Sequence, residues 1–269
     1  MRRYISLLRV RLLNGLQYRA AALGGLTTQF FWGTMLVFIY QAFYSGGGAA
    51  GANAFPYRDL VSFIWLQQAF ISFIFLYDWD SELLDSITSG GISYELCRPV
   101  ELYPVWYVKL LSKRLSAGAL RFPPIVVIAL LLPSPYNLAP PASAVSFLLF
   151  VTALFLGLFL LVSMSMLIYI SVFKTMSPIG SIAILGTVAE FFGGSTIPLP
   201  LMPEWLQRVC VALPFRWTAD FPLRVYSGNI GTADALTGVA VQLVWIFVLA
   251  GAGALIMKRM TRLAVVQGG

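Results

Sequence analysis

Val145-Ser-Phe-Leu-Leu-Phe-Val-Thr-Ala-Leu-Phe-Leu-Gly-Leu-Phe-Leu-Leu-Val-Ser-Met-Ser-Met-Leu-Ile-Tyr-Ile170 contains no charged residue. It exceeds the roughly 20 apolar residues that carry a helix across the hydrocarbon core of a bilayer. In lipid a helix satisfies each backbone N–H and C=O within its own segment, so the run reads as a membrane span. Residues 20–57, 60–77, 122–173, 175–189 and 235–257 are equally free of charge. With 59% hydrophobic and 11% charged residues, little is left for a soluble domain. The expected fold class is all-α, a polytopic membrane protein with residues 1–269 in one transmembrane domain.

The six expected spans are 23–43, 58–77, 115–132, 145–170, 178–197 and 235–257. Ser45-Gly46-Gly47-Gly48 closes the first, and Pro133 to Pro141 splits the long uncharged run, since Pro and Gly break helices. Arg121 interrupts the third span, so residues 103–132 read as one long helix. Lys109, Lys113 and Arg114 would lie at its wet end, and Pro123-Pro124 would bend it.

Orientation follows from Lys and Arg. With six spans both termini share a side, and that side holds 14 of the 18: Arg2, Arg3, Arg9, Arg11, Arg19, Arg98, Lys109, Lys113, Arg114, Arg121, Lys174, Lys258, Arg259 and Arg262. The other side holds Arg58, Arg208, Arg216 and Arg224. Both termini are therefore expected in the cytoplasm. The same distribution explains the net charge of +7 through anionic lipid headgroups and argues against nucleic acid as a partner. Cys97 falls on the inner side and Cys210 on the outer, so no disulfide is expected within one chain. Residues 1–20 do not read as a signal peptide. Ile5, Leu8, Leu12 and Leu16 recur at helical spacing among Arg2, Arg9 and Arg11, as in a helix lying in the inner interface; a plain cytoplasmic extension is the alternative.

Several chemistries are excluded. There is no histidine, hence no Ser-His-Asp triad and no His-ligated metal. The four lysines follow Val108, Ser112, Phe173 and Met257, so no Gly-Lys of a P-loop exists. No enzyme activity, cofactor or metal is assigned to the chain. The acidic run Asp78, Asp80, Glu82, Asp85 lacks the pattern of a calcium loop and suits the N-terminus of a short helix.

Two loops stand out. In Asp80-Ser-Glu-Leu-Leu-Asp-Ser-Ile-Thr-Ser-Gly-Gly-Ile-Ser-Tyr-Glu-Leu-Cys-Arg-Pro99, Leu83, Leu84 and Ile87 form one apolar face. Left exposed on an inner loop, such a face wants a partner; alternatively it packs on the chain's own helix ends. In Gly193-Gly-Ser-Thr-Ile-Pro-Leu-Pro-Leu-Met-Pro-Glu-Trp-Leu-Gln207, a double Gly and three prolines precede an amphipathic helix through Leu213. That helix is too short to span, so it is expected to dip into the outer leaflet and return.

Together, Ile87–Pro99 and the outer Ile197-Pro-Leu-Pro-Leu-Met-Pro-Glu-Trp205 with Leu213-Pro214-Phe215 resemble the permeases of ABC-2-type transporters. The six-span layout extends the resemblance over the chain. Arg9-Val-Arg-Leu-Leu-Asn-Gly-Leu-Gln-Tyr-Arg-Ala20 resembles the bacterial exporter branch that often uses two different permeases. The resemblance implies a multi-pass protein of the bacterial inner membrane that pairs with a second permease, identical or different. It also implies two copies of a separate ATPase, which would carry the ATP and Mg. The coupling helix would be Asp80 to Thr88, with Leu83, Leu84 and Ile87 between them, and the re-entrant outer helix Pro203 to Leu213, including Trp205 and Leu206.

Glu190 lies 12 residues into the fifth span, about 18 Å at 1.5 Å per residue. An intramembrane carboxylate is costly and by default suggests function. It lines the substrate path, or pairs with Arg121 at similar depth, or is protonated and inert because burial favours the neutral acid. Gly186, Glu190 and Gly193 share a face that a neighbouring helix could approach. Gln29, Trp32, Trp65, Gln68 and Ser72 are further path candidates, with ordinary helix packing as the alternative. The rival function is an ion-coupled carrier using Glu190 as its proton site.

Overall fold

The computed structural model describes residues 2–17, 19–47, 55–175 and 177–263. Gly48, the last glycine of the run expected to close the first span, lies outside them, as do Met1, Tyr18 and residues 264–269. The described residues are helical and contain no strand. In chain order the helices are α1 (Arg2–Gly15), α2 (Arg19–Ser45), α3 (Tyr57–Ala69), α4 (Ile71–Ile74), α5 (Ser81–Thr88), α6 (Ile92–Leu96), α7 (Leu102–Leu131), α8 (Ala144–Thr175), α9 (Pro178–Phe192), α10 (Glu204–Ala212), α11 (Asp220–Tyr226) and α12 (Thr232–Leu263). Single 3₁₀ turns lie at Leu199–Leu201 and Phe215–Thr218.

Among the described residues three helices are long and apolar enough to cross a membrane: Leu102–Leu131, Ala144–Thr175 and Thr232–Thr261. The protein is therefore membrane-embedded in character. α8 is its axis. Ser143 starts it by accepting the Ser146 N–H on its hydroxyl at 3.0 Å. Leu160 to Met166 are all buried, so this half of α8 is surrounded by protein on every side. α12 runs along α8, and buried Gln242 ties the two by donating to the carbonyls of Ala153 (2.8 Å) and Trp217 (2.7 Å). The opposite face of α12, with Val244, Phe247 and Leu255, is exposed, as suits a lipid-facing helix.

α7 is continuous through Pro123 and Pro124 as one helix. The second apolar stretch is not continuous. It breaks at Phe70, between α3 and α4, where the ring stacks on Phe122 at 4.8 Å. A cavity of about 520 Å³ bounded by Phe70, Phe73, Phe122, Phe150, Phe155 and Tyr226 remains between α7 and α8 at this break.

Candidate functional site

The end of the molecule that carries α5 and α6 is organised by cations on α7. α4 stops at Ile74 and leaves carbonyls that no helix satisfies. Arg114, only 1% exposed, takes them: its Nη1 donates to the carbonyls of Ser72 (2.9 Å) and Phe75 (2.8 Å), and Nη2 to Asp78 (3.1 Å) and Ser165 Oγ (3.3 Å). A planar fork with five donors suits this; a single ammonium would not. Lys113 pairs with Asp78 at 2.9 Å and donates to the Trp79 carbonyl. The Asp80 N–H then donates to the Tyr169 hydroxyl of α8. Asp80 caps α5 by accepting from the Leu83 N–H at 3.1 Å.

A second set of ion pairs joins α1, α5, α6 and α7. Arg11 donates to both Glu82 carboxylate oxygens at 2.8 Å, a two-pronged pair that fits guanidinium geometry. The hydrogen bond from Arg11 is the main reason the Glu82 carboxyl is held below its usual range; Lys109 adds to it. The Glu82 carboxylate in turn raises Arg11. Lys109 reaches Glu95 at 2.6 Å and Glu82 at 3.9 Å, and the Trp106 indole N–H also donates to Glu95. α1 lies close along α7: a Cβ on Gly15 would clash with Ser116 Oγ.

This arrangement corrects the expectation of a free apolar face on α5. Leu83, Leu84 and Ile87 are 1%, 6% and 4% exposed, packed into the protein's own core with α8. The amphipathic pattern is real, but the chain itself covers its apolar side. What α5 and α6 show outward is Asp85, Thr88, Ser89 and Tyr94, the last 79% exposed.

The path candidates lie on α2, α3 and α4. Trp65 is buried, donates to the Tyr136 carbonyl at 2.8 Å and stacks on Phe30. Gly33 of α2 packs on Trp65 and Gln68, where an added Cβ would lie 2.9 and 3.1 Å away. Ser72 is buried, its carbonyl spent on Arg114. Gln29 is buried with no partner for Oε1 among the described residues, while Trp32 is half exposed on α2. Trp65, Gln68 and Ser72 are thus buried within the chain.

Glu190 occupies the last turn of α9, half-buried, because the helix stops at Phe192. The helix C-terminus disfavours an anion there. Arg121 and Glu190 form no ion pair: Arg121 lies against Gly25 of α2, 3.4 Å from where its Cβ would be, whereas α9 packs on α8. The close approach expected at Gly186 is met by Tyr77 of the same chain, whose ring would be 2.6 Å from an added Cβ and whose hydroxyl bonds Thr187 Oγ1 at 2.8 Å.

Beyond α9, Gly194 takes φ +76°, a conformation that favours glycine, and the chain folds back through Leu199–Leu201 into α10. Leu199, Met202 and Cys210 form a small core here, with Phe192 and Leu206 against it. α10 follows Pro203 and ends at Ala212, with Leu213 extended after it; Trp205 is 67% exposed. Next comes a group that the sequence reading passes over. Asp220, fully buried, lies 3.3 Å from Arg216 and 3.5 Å from Arg224 through one oxygen, Oδ2. The spacing of four residues on each side was the available signal.

No protein-family model matches the chain, and no curated protein matches it significantly.

Proposed function

We propose that the chain is the permease subunit of an ATP-driven exporter of the ABC-2 type, paired with a second permease and driven by separate ATPase subunits. On this reading the six apolar stretches are six crossings, made by α2, α3 with α4, α7, α8, α9 and α12. The basic end with α5 and α6 faces the cytoplasm of a bacterial cell, and α10 dips into the outer leaflet. ATP and Mg belong to the partner, in keeping with a sequence that has no Gly-Lys for a P-loop.

The observation that carries the reading is the mounting of α5. A two-turn helix between the second and third apolar stretches is tied to α1 by Arg11, to α7 by Lys109, and to α8 by its buried leucines, while Lys113 and Tyr169 hold the Asp78–Asp80 segment that leads into it. Its polar side stays open. A force on that open side would reach three helices at once, as a coupling element requires. The test is co-expression with candidate ATPase subunits, joint purification and ATPase assay. Asp85→Arg with Thr88→Arg on the open side should abolish the complex while leaving the chain's yield unchanged. A complex indifferent to these changes, or none with any ATPase, would refute the reading.

One observation favours the carrier reading: Glu190 has no ion-pair partner among the described residues. Proton-driven uptake or efflux by the chain alone in liposomes, lost in Glu190→Gln, would support it over the exporter.

A further inference from the structure

We infer that the cavity between the Phe215–Thr218 turn and the first turn of α12 binds the headgroup of a zwitterionic membrane phospholipid, of the phosphoethanolamine class. The inference goes beyond the exporter reading and rests only on the chain's membrane setting.

The cavity measures about 200 Å³ and is lined by Arg216, Trp217, Ile230, Asp234, Thr237 and Gly238 among others. That holds a headgroup and not acyl chains. Its level follows from α12, where Asp234 is the last charge before the uncharged stretch 235–257 and so marks the edge of the hydrocarbon.

Three features identify the ligand. First, two arginines share one carboxylate: Arg216 and Arg224 both lean on Asp220 Oδ2, which leaves one positive charge in excess in a largely buried place. Arg216 spends Nε on Asp220, and its terminal amino groups make no bond to protein among the described residues. A phosphate is the natural complement of a guanidinium. Second, Trp217 is 7% exposed and its indole N–H has no partner among the described residues, although the ring lines the cavity. A buried donor left alone is costly, and a phosphate oxygen would satisfy it. Third, Asp234 stands exposed at the rim. A purely anionic headgroup would meet repulsion there, whereas an ammonium would be drawn to it. The lipid's chains would then descend along the exposed apolar face of α12, past Leu236, Val244 and Phe247.

The test uses the chain purified in detergent. Its thermal midpoint is followed against added phosphatidylethanolamine or phosphatidylglycerol of identical acyl chains, since a ligand that binds only the folded state raises the midpoint. Phosphatidylethanolamine should act at about tenfold lower concentration, the size of one lost charge-assisted bond. Asp234→Asn should remove that preference. Trp217→Phe should weaken the response to both lipids. Thr237→Trp, at an exposed position on the rim, should block it even if the Trp217 variant folds poorly. Equal or better action of phosphatidylglycerol on the unaltered chain would overturn the inference, as would responses that Asp234→Asn and Thr237→Trp leave unchanged.

Discussion

Arg11 and Glu82, 71 residues apart in the chain, meet in a two-pronged ion pair with both arms at 2.8 Å. The first helix is thereby held to the short helix α5, and the pair is half open to solvent, with side-chain exposures of 32% and 60%. At such exposure it contributes about 0.2–1 kcal/mol.

Its pH dependence has a definite sign. The Glu82 carboxyl is held below its ordinary value of 4.5, first by the hydrogen bond from Arg11. The pair's contribution is therefore complete above that value and is lost as pH falls through the lowered one. A spin label at exposed Asn14, in a Cys97→Ser background, should stay immobilised at neutral pH and loosen only below 4.5. Glu82→Gln should show at every pH the same partial gain in mobility that the unaltered chain shows only in acid, since α1 also packs along α7. Loosening that begins well above the ordinary value would mean that another group holds α1.

The two sides of α5 should respond in opposite ways. Leu83→Ala opens a cavity in the core and should cost about 2–5 kcal/mol, seen as a lower thermal midpoint and a lower membrane yield. Asp85→Arg, on the open side, should leave the midpoint within about 0.5 kcal/mol of the unaltered chain. If Leu83→Ala left the midpoint unchanged, the packing of α5 on α8 would be in error.

Arg114→Met should be more damaging than its distance from any cavity suggests. It strands the carbonyls of Ser72, Phe75 and Asp78, at about 1–3 kcal/mol for each buried group left unpaired. Arg114→Lys should rescue only part of the loss, since one ammonium cannot reach all three. Thermal unfolding of the three proteins in detergent decides this, and full rescue by Lys would show that charge, not fork geometry, is what matters.

Because Glu190 has no ion pair among the described residues, Glu190→Gln should leave membrane yield unchanged. Exchanging Arg121 and Glu190 should bring no mutual rescue, because one lies against α2 and the other at the end of α9. A swap that restored what the single changes lost would require the two to meet.

The positions of helices were largely legible because lipid-scale apolar runs and their Pro and Gly ends are local signals. α5 begins where Asp80 offers a cap, and α10 lies just inside the span Pro203 to Leu213. The break at Phe70 was not legible: no Gly or Pro marks it, and its ring is engaged with Phe122. Direction was harder than position. The pattern of Leu83, Leu84 and Ile87 reveals an apolar face but not what covers it, and α8 covers it. Arg114 reads as one more cation at a wet helix end, yet it is buried, because its partners are backbone carbonyls that have no signature in sequence. The Arg216–Asp220–Arg224 spacing was visible in the sequence, but nothing in the sequence shows that Asp220 is fully buried between them.

α9 has 15 residues, about 22 Å at 1.5 Å per residue, some 8 Å short of a typical hydrocarbon core. If α9 is a crossing, the bilayer beside it must thin, and the deformation costs a fraction of a kcal/mol for each ångström. The missing length falls at the end that carries Glu190, next to the hairpin with α10. Headgroups and water would be drawn down into a dimple there, wetting the carboxylate from one leaflet while the rest of the bundle sits in bilayer of ordinary thickness.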